Sequence, residues 1–293
     1  MTNNDLRTTT TIRAALRAAV ARLDAAGVDA PANTARQLLS VATGRAREWL
    51  LAHDDEALGE AQARALETLL GRVAAREPLA YVLGERGFHG ITLKIDPRAL
   101  IPRPETEMLV DLALAALKAL PPGATVIDVG TGSGAAAIAI ALGAPDANVV
   151  ACDVSADALS LARENAERLG ARVTFIQSDL LSNVSYLAPI VVANLPYVTR
   201  EEIDMLPPEI QAHEPRVALD GGADGLDLVR RLLAQLGGDP ARRAALRYVW
   251  LEVGASQGQA ALALARAAFS DARTRILQDL ARLDRVIAIE FEK

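Results

Sequence analysis

Seven short apolar segments alternate with amphipathic helical patterns over roughly the last two thirds of the chain, and this alternation restricts the fold more than any other feature. The predicted strands are residues 124–129, 148–152, 173–177, 189–193, 246–253, 275–277 and 285–291. Helices are predicted at residues 134–142, 156–169, 225–236 and 256–268. Such an order of elements packs as an α/β fold with a doubly wound, mostly parallel, seven-stranded sheet. Ligands bind these sheets at the carboxyl ends of the strands.

The preceding part of the chain has helical periodicity and no strand pattern. Helices are predicted at residues 11–26, 32–42, 47–51 and 58–76. Gly27, Gly44 and Pro78 mark the ends of three of them, because glycine and proline commonly terminate helices. The sequence therefore predicts a small helical bundle over residues 1–86.

A short strand pattern separates the two parts. Residues 91–95 alternate between apolar and polar, and glycines flank the preceding pair Phe88-His89. This combination indicates a β-hairpin. We therefore predict a hairpin linker at residues 87–98 and a single α/β domain over residues 99–293.

Composition narrows the class of protein. The formal net charge is −6, so no global positive field attracts nucleic acid, and stable nucleic-acid binding is not expected. The sequence shows no signal peptide and no run near the roughly 20 apolar residues of a membrane span, so we expect a cytoplasmic protein that binds no membrane. Cys152 is expected to be a packed thiol. His53, His89 and His213 lack metal-ligand spacing, so no metal site is predicted.

A glycine-rich loop follows the first predicted strand of the α/β domain and precedes a helix. Its residues are Gly130, Thr131, Gly132, Ser133 and Gly134. Glycines at such a turn let the backbone approach a ligand closely. The loop is therefore predicted to bind a cofactor, but loops of this type also occur in nicotinamide and flavin enzymes.

Acidic residues end the next two predicted strands. Asp153 is placed to accept hydrogen bonds from both ribose hydroxyls of a nucleoside. Asp179 can accept from an adenine amino group, with Leu180 against the ring. An alternative role for Asp153 is to cap the following helix, which Ser155 or Asp157 can also do. Together the acids fit a ligand that contains adenosine.

Two details favour S-adenosylmethionine as that ligand. The glycine spacing is Gly-x-Gly-x-Gly, whereas nicotinamide loops more often place the third glycine one residue further on and bind a pyrophosphate. Asp128 lies two residues before the loop. Its charge suits a cofactor that carries sulfonium and ammonium groups and no phosphate.

The fourth predicted strand leads directly into a polar and aromatic segment. Its residues are Asn194, Leu195, Pro196 and Tyr197. The Asn194 side-chain oxygen and the Leu195 main-chain carbonyl can accept two N–H groups and so orient a planar nitrogen for methyl transfer. The proline restricts Leu195 to extended backbone, and Tyr197 can stack on the acceptor. We predict that this segment is catalytic and that Asn194 also borders the cofactor.

Several segments resemble the peptide chain release factor N5-glutamine methyltransferases, which are Rossmann-like class I methyltransferases. The most specific is Leu100–Glu107, which contains an Arg-Pro-Glu-Thr-Glu signature. Other similar segments are Phe88–Gly90, Glu214–Leu226, Glu252–Gln257 and Asp284–Val286. The resemblance covers the whole chain. It implies methylation of the glutamine in the Gly-Gly-Gln loop of class I release factors.

The resemblance also implies roles for particular residues. Gly130–Gly134 and Asp153 would hold S-adenosylmethionine, Asn194–Tyr197 would hold the glutamine amide, and the helical bundle would bind the release factor. The chain departs from the family pattern at Leu195, where the family usually has proline. The same Asn-Leu-Pro-Tyr tetrapeptide occurs in ribosomal RNA adenine dimethyltransferases.

Four other functions stay open at this point. A glutamine of a ribosomal protein is the alternative substrate that lies nearest chemically. The tetrapeptide on its own also fits a nucleic-acid adenine N6-methyltransferase, and the glycine loop on its own fits a nicotinamide oxidoreductase. A non-enzymatic scaffold is the last alternative, and retention of every polar site residue argues against it.

Overall fold

The computed structural model describes residues 10–292, which form two compact units. The first unit comprises the residues up to Gly84 together with Pro208–His213. The second comprises Glu85–Pro207 and the residues from Glu214 onward. The polypeptide therefore leaves the first unit at Gly84 and returns to it later for one short helix.

The helices of both units lie largely where sequence periodicity places them. In the described residues they are α1 (Ile12–Ala25), α2 (Pro31–Thr43), α3 (Arg47–Ala52), α4 (Glu60–Ala74), α5 (Leu79–Leu83), α6 (Glu107–Leu117), α7 (Ala135–Gly143), α8 (Ala156–Leu169), α9 (Arg200–Ile203), α10 (Pro208–His213), α11 (Asp227–Gly238), α12 (Pro240–Ala245) and α13 (Gly258–Ala268). The first four confirm the predicted helical N-terminal region. Sequence periodicity did not predict α5, α6, α9, α10 and α12.

The first unit consists of α1–α5 and α10 around an apolar core. Local signals explain where its helices begin. The Thr11 hydroxyl caps α1 by accepting from the Ala14 N–H at 3.2 Å, and Pro31 occupies the first turn of α2. Helix α10 is joined to the end of α4 by an ion pair of 2.7 Å between Arg76 and Glu209. The buried core residues include Leu23, Leu38, Leu39, Leu66 and Leu70.

The strands belong to the second unit. They are β1 (Glu85–Phe88), β2 (Ile91–Lys94), β3 (Thr125–Val129), β4 (Asn148–Asp153), β5 (Val173–Gln177), β6 (Ile190–Ala193), β7 (Tyr248–Glu252), β8 (Arg273–Gln278) and β9 (Asp284–Glu290). Strands β1 and β2 form an antiparallel hairpin in which Phe88 is paired with Ile91. His89 and Gly90 therefore make a two-residue turn, and both have the positive φ that a type I′ turn requires.

The other seven strands form one sheet in the order β5-β4-β3-β6-β7-β9-β8. Neighbouring strands from β5 to β7 are parallel, whereas β9 is antiparallel to both β7 and β8. The central strands are apolar along nearly their whole length, because helices cover both faces of such a sheet. The predicted doubly wound, mostly parallel sheet is confirmed.

The order of the sheet reverses between β3 and β6. From β3 the chain adds β4 and β5 on one side, and it then crosses to place β6 on the other side. Val129 and Ala193, the last residues of β3 and β6, are paired with each other. The segments that follow these two strands therefore lie side by side, at the switch point where open α/β sheets bind their ligands.

Helix α6 joins the hairpin to this switch point. Its residues Leu109 and Val110 are fully buried. Its polar residues hold the hairpin turn, because Glu107 accepts from the His89 main-chain N–H at 2.9 Å and Asp111 lies 2.9 Å from the His89 ring nitrogen Nε2. His89 therefore has a structural role in the hairpin turn.

Candidate active site

A cavity of about 760 Å³ opens at the carboxyl ends of β3, β4, β5 and β6. Its lining residues include most of the predicted site, namely Gly130, Gly132, Asp153, Asp179, Leu180, Asn194, Leu195 and Pro196. The predicted residues Thr131, Ser133, Gly134 and Tyr197 do not line it. The fold thus brings residues from four strand ends into one cavity.

Gly130 opens the glycine loop and fits where no larger residue does. Its φ is 76°, and a β-carbon built on it would lie 3.1 Å from Leu195 Cδ2 and 3.5 Å from the Asn194 carbonyl oxygen. The N–H groups of Gly130 and Thr131 both donate to the Cys152 carbonyl, at 2.8 and 3.0 Å. The loop is therefore anchored on the end of β4 and packed against the segment after β6.

The other loop residues make contacts outside the cavity lining. The Thr131 hydroxyl donates to Asp128 Oδ2 at 2.7 Å, and the Ser133 carbonyl accepts from the Asn165 amide at 3.0 Å. Gly134 is the N-cap of α7. Burial raises the pKa of Asp128 to about 6, against the opposing effect of the Thr131 hydrogen bond. A nearby cation would lower this pKa and favour the ionised carboxylate.

Asp153 ends β4 and faces the loop. Its Oδ2 accepts from the Gly132 N–H and its Oδ1 from the Ser155 N–H, both at 2.9 Å. The helix cap is a different residue, because the Ser155 hydroxyl accepts from the Ala158 N–H at 3.1 Å and caps α8. Burial raises the Asp153 pKa, and main-chain donors, those of Ser155, Gly132 and Val154, oppose this. Each carboxylate oxygen keeps a lone pair for a further donor.

Asp179 and Leu180 form the wall beyond β5. Asp179 makes an ion pair of 2.5 Å with Arg231, and both side chains are about half exposed. Leu180 is buried and has a positive φ of 52°, which is unusual for a residue other than glycine. Its carbonyl accepts from the Cys152 thiol at 3.3 Å. Burial raises the pKa of that thiol to about 12, so Cys152 is a packed, unreactive thiol.

Asn194 is held by a short chain of hydrogen bonds. Its Nδ2 donates to the Thr106 hydroxyl oxygen at 2.9 Å, and the Thr106 hydroxyl donates to Glu252 Oε2 at 2.7 Å. Thr106 and Glu252 are buried, whereas Asn194 lines the cavity. This arrangement uses the amide nitrogen of Asn194 and leaves its Oδ1 as the acceptor.

Leu195 and Tyr197 lie in different surroundings, because Leu195 lines the cavity and Tyr197 does not. Leu195 is 4% exposed and belongs to the main apolar core of the second unit. Its contribution to the cavity at the acceptor end is therefore the backbone that precedes Pro196. Burial raises the pKa of Tyr197, so this phenol stays neutral. Its half-buried ring lies beside the Gly254 backbone.

A glycine-rich segment fixes the backbone after Pro196. A β-carbon at Gly221 would lie 2.7 Å from both the Pro196 carbonyl oxygen and Tyr197 Cα, and one at Gly225 would overlap the Tyr197 carbonyl oxygen. The Gln257 amide donates to that same Tyr197 carbonyl at 2.8 Å. We call Gly221, Gly225 and Gln257 the glycine latch. The two glycines allow close packing against the segment Asn194–Tyr197, which we call the acceptor segment, and Gln257 donates a hydrogen bond to it.

Sequence reasoning gave no chemical role to Thr106, Glu252 or Gln257, although all three lie in segments that carried the family resemblance. One local signal was available for Glu252. It is an acidic residue at the end of the buried strand β7. Asp153 likewise ends β4, and Asp128 lies within β3. Thr106 and Gln257 offered no such signal, since their partners are distant in sequence.

Two further classes of feature are absent from the described residues. Among residues 10–292, no group of three or more histidine, cysteine, aspartate or glutamate side chains is arranged to hold a metal ion. No helix in the same range combines the length and the apolar character needed to cross a membrane.

Comparison with known proteins decides the family. Residues 14–84 match the family model of the PrmC N-terminal domain, and residues 106–216 match that of the methyltransferase small domain. A release factor glutamine methyltransferase of Moorella thermoacetica is 42% identical over 94% of this chain and 96% of that protein. The chain belongs to the release factor glutamine methyltransferase family. A family member from Bordetella pertussis is 41% identical over 87% of this chain and 93% of its own.

Membership of the release factor glutamine methyltransferase family confirms the resemblance that the sequence motifs indicated. It also confirms an S-adenosylmethionine-dependent methyltransferase, because methyltransferases of this class use that cofactor. A solved structure supports the fold alone. The catalytic domain of hMettl16 in complex with the MAT2A 3′UTR hairpin 6 has a TM-score of 0.55 and 14% identity, covering 77% of this chain and 82% of that one.

Proposed function

We propose that this enzyme transfers a methyl group from S-adenosylmethionine to N5 of the glutamine in the Gly-Gly-Gln loop of class I peptide chain release factors. The observation that carries the proposal is the Asn194 amide, whose nitrogen is engaged by Thr106 and whose oxygen remains available beside the glycine loop. An amide oxygen at that point accepts an N–H of a planar nitrogen.

The lining of the cavity and the charges near the glycine loop support S-adenosylmethionine as its ligand. Gly130 and Gly132 line the cavity and carry no side chain, so the loop backbone is open to contact with the cofactor. Asp128 and Asp153 supply negative charge near the loop, and the free lone pairs of Asp153 suit ribose hydroxyls. Leu180 gives an apolar wall for the adenine ring. The bound cofactor supplies a methyl group on a positively charged sulfur.

The acceptor segment orients the glutamine amide. Asn194 Oδ1 and the Leu195 carbonyl are proposed to accept the two N–H groups, and Tyr197 is proposed to contact the flat face of the amide. Two acceptors on one nitrogen favour the positive charge that develops there as the N–C bond forms. The nitrogen releases one proton after it gains the methyl group. That proton is acidic at this stage, so a strong base is not needed.

The helical bundle, predicted at residues 1–86, is proposed to bind the release factor, with residues 87–98 connecting it to the catalytic domain. A pocket of about 130 Å³ in the bundle supports this proposal. Four arginines, Asp54 and the exposed Leu51 line it, and Asp54 is ion-paired with one of the arginines, Arg13. The remaining positive charge suits an acidic surface with an apolar contact. The arginines are Arg13, Arg17, Arg36 and Arg47.

The net charge of the chain supports a protein substrate. We propose that the enzyme acts in the cytoplasm. The formal net charge of −6 disfavours a nucleic-acid substrate. The alternatives of a ribosomal-protein glutamine and of a nucleic-acid adenine present similar planar nitrogens to the same acceptors. The choice among them therefore depends on the rest of the substrate and is made by experiment.

The test is incubation with labelled S-adenosylmethionine and a class I release factor, followed by mass spectrometry. We expect one added methyl group on the glutamine of Gly-Gly-Gln and none in a Gln→Ala release factor. A short Gly-Gly-Gln peptide should react with a higher KM, because it lacks the surface for the helical bundle. Equal labelling of the Gln→Ala protein, or labelling of a ribosomal protein or RNA alone, would refute the proposal.

A further inference from the structure

Three side chains from distant parts of the second unit form one hydrogen-bonded row. Glu252 ends β7, Thr106 immediately precedes α6, and Asn194 follows β6. The two hydrogen bonds are 2.7 Å, from the Thr106 hydroxyl to Glu252 Oε2, and 2.9 Å, from Asn194 Nδ2 to the Thr106 oxygen. We call this row the Glu252–Thr106–Asn194 relay.

The chemistry of the relay sets its direction. The Thr106 hydroxyl donates its single proton to Glu252 Oε2. An ionised carboxylate only accepts hydrogen bonds, so this direction is fixed while Glu252 is ionised, above its pKa of about 7. The Thr106 oxygen then accepts, and the group of Asn194 that faces it must be the NH₂. The opposite side of the amide, Oδ1, is left for the substrate nitrogen. A reversed amide would present N–H donors to that nitrogen and would repel it.

Glu252 is placed unusually for a carboxylate. It is 1% exposed, and its Oε1 is buried without a hydrogen-bond partner in the part of the chain that the structure describes. The nearest charged groups that act on it are Arg285, Arg103 and Glu105. Arg285 is paired with Asp279 in an ion pair of 3.1 Å, and Arg103 is paired with a different glutamate, so neither arginine neutralises Glu252 directly.

Burial of a carboxylate such as Glu252, with one oxygen that has no hydrogen-bond partner, opposes folding. The packing of β7 therefore gives no reason for a carboxylate at this position, whereas the relay does. We propose that Glu252 and Thr106 are positioning residues, which fix the Asn194 amide with Oδ1 toward the substrate nitrogen. This inference rests on the proposed role of Asn194 in holding the glutamine amide.

The test compares Thr106→Val, which removes the hydroxyl at nearly constant volume, with Thr106→Ser, which keeps it. Thr106→Val should lower kcat by on the order of tenfold or more, since the amide is no longer held in one orientation. Thr106→Ser should retain most of the turnover. Thr106 does not line the cavity, so calorimetry should give an unchanged Kd for S-adenosylmethionine in both variants. Equal turnover in wild type and Thr106→Val, or an equal loss in both variants, would overturn the inference.

A second measurement does not depend on the substrate. The side-chain amide resonance of Asn194 can be assigned by its loss in Asn194→Asp and followed by NMR. Thr106→Val should shift that resonance and accelerate its hydrogen exchange, and Thr106→Ser should do neither to a comparable extent. An unchanged Asn194 resonance in Thr106→Val would show that Thr106 does not hold the Asn194 amide. Failure of the wild-type enzyme to methylate Gly-Gly-Gln would instead refute the proposed function, and the NMR result would still decide the relay.

Discussion

Leu195 Cδ2 packs over the α-carbon of Gly130, and a β-carbon built on Gly130 would lie only 3.1 Å from it. This contact joins the loop after β3 to the segment after β6. The cofactor loop and the acceptor segment are thus packed against each other. The contact limits the space for a side chain at position 130, and both residues can be tested.

Gly130→Ala should weaken S-adenosylmethionine binding and stability together. The substitution places a β-carbon in a left-handed conformation, at a cost of roughly 1–2 kcal/mol, and forces Leu195 to move. Gly170→Ala is the matched control, because Gly170 has a similar φ of 67° and a β-carbon built on it would have nothing within 4 Å. Calorimetry should show weaker cofactor binding for the first variant only. Equal Kd values would contradict the role given to the contact.

Leu195→Ala should destabilise the fold and spare the chemistry. The side chain is part of the main core, so truncation should cost roughly 2–5 kcal/mol of unfolding free energy. The main-chain carbonyl, which is the proposed acceptor, is retained. We expect kcat per folded molecule to stay within a few-fold of wild type, measured well below the unfolding temperature. A large loss of kcat in fully folded enzyme would show that the side chain itself takes part.

Asn194→Ala should lower turnover far more than cofactor affinity. Loss of one preorganised hydrogen-bonding group in an active site commonly reduces kcat on the order of 100-fold. Asn148→Ala is the control, since the Asn148 amide donates to the Gly123 carbonyl at the opposite end of the sheet. Steady-state kinetics and calorimetry separate the two effects. Unchanged turnover would remove Asn194 from the mechanism.

Asp153→Ala should weaken S-adenosylmethionine binding by roughly 1.5–3 kcal/mol, the usual value of hydrogen bonds to a charged group. Asp179→Ala should have a smaller effect, because Asp179 is half exposed and already paired with Arg231. Titration calorimetry on both variants checks the order. A larger loss of cofactor affinity for Asp179→Ala than for Asp153→Ala would show that Asp179 contributes more to binding.

Glu252 should make stability depend on pH. Burial raises its pKa from the ordinary 4.5 to about 7, partly opposed by the Thr106 hydrogen bond. Between these pH values the unfolded chain has lost the proton that the folded chain keeps, so the free energy of unfolding falls as pH rises. The expected difference between pH 4.5 and 7 is roughly 3 kcal/mol.

Glu252→Gln should lack this slope, because the amide does not titrate. Asp128 and Asp153 also have raised pKa values and contribute in the same direction, so the informative quantity is the difference between the two proteins. Urea unfolding at about pH 4 and about pH 7.5, on either side of the expected transition, measures it. Parallel pH profiles for the wild type and Glu252→Gln would show that Glu252 does not titrate in this range.

The order of elements in the α/β domain was predictable because its strands are short, apolar and separated by amphipathic helices. Helix α6 was not predicted, since Glu107–Leu117 is apolar on nearly every side and such a helix has no clear period. The strand-end residues Asp153 and Asn194 were predictable from position alone. In a parallel sheet the carboxyl ends of the strands share one edge.

The supports of these residues were not predictable in the same way. Thr106 lies 88 positions from Asn194 and 146 from Glu252, and only the folded sheet brings the three together. The latch between Gly225 and the Tyr197 carbonyl likewise depends on two loops that meet after the sheet has formed. Local patterns specify the groups that could contact a ligand, whereas tertiary packing specifies what holds them.

The glycine latch has a consequence for how substrate binding is divided between entropy and enthalpy. The backbone from Pro196 to Tyr197 packs closely against Gly221 and Gly225 and accepts a hydrogen bond from Gln257, all within the protein itself. Its conformational entropy is therefore lost once, during folding, and not again at each encounter with a substrate. Only the substrate loop has to become ordered on binding, so association should show the entropic signature of one partner and not of two.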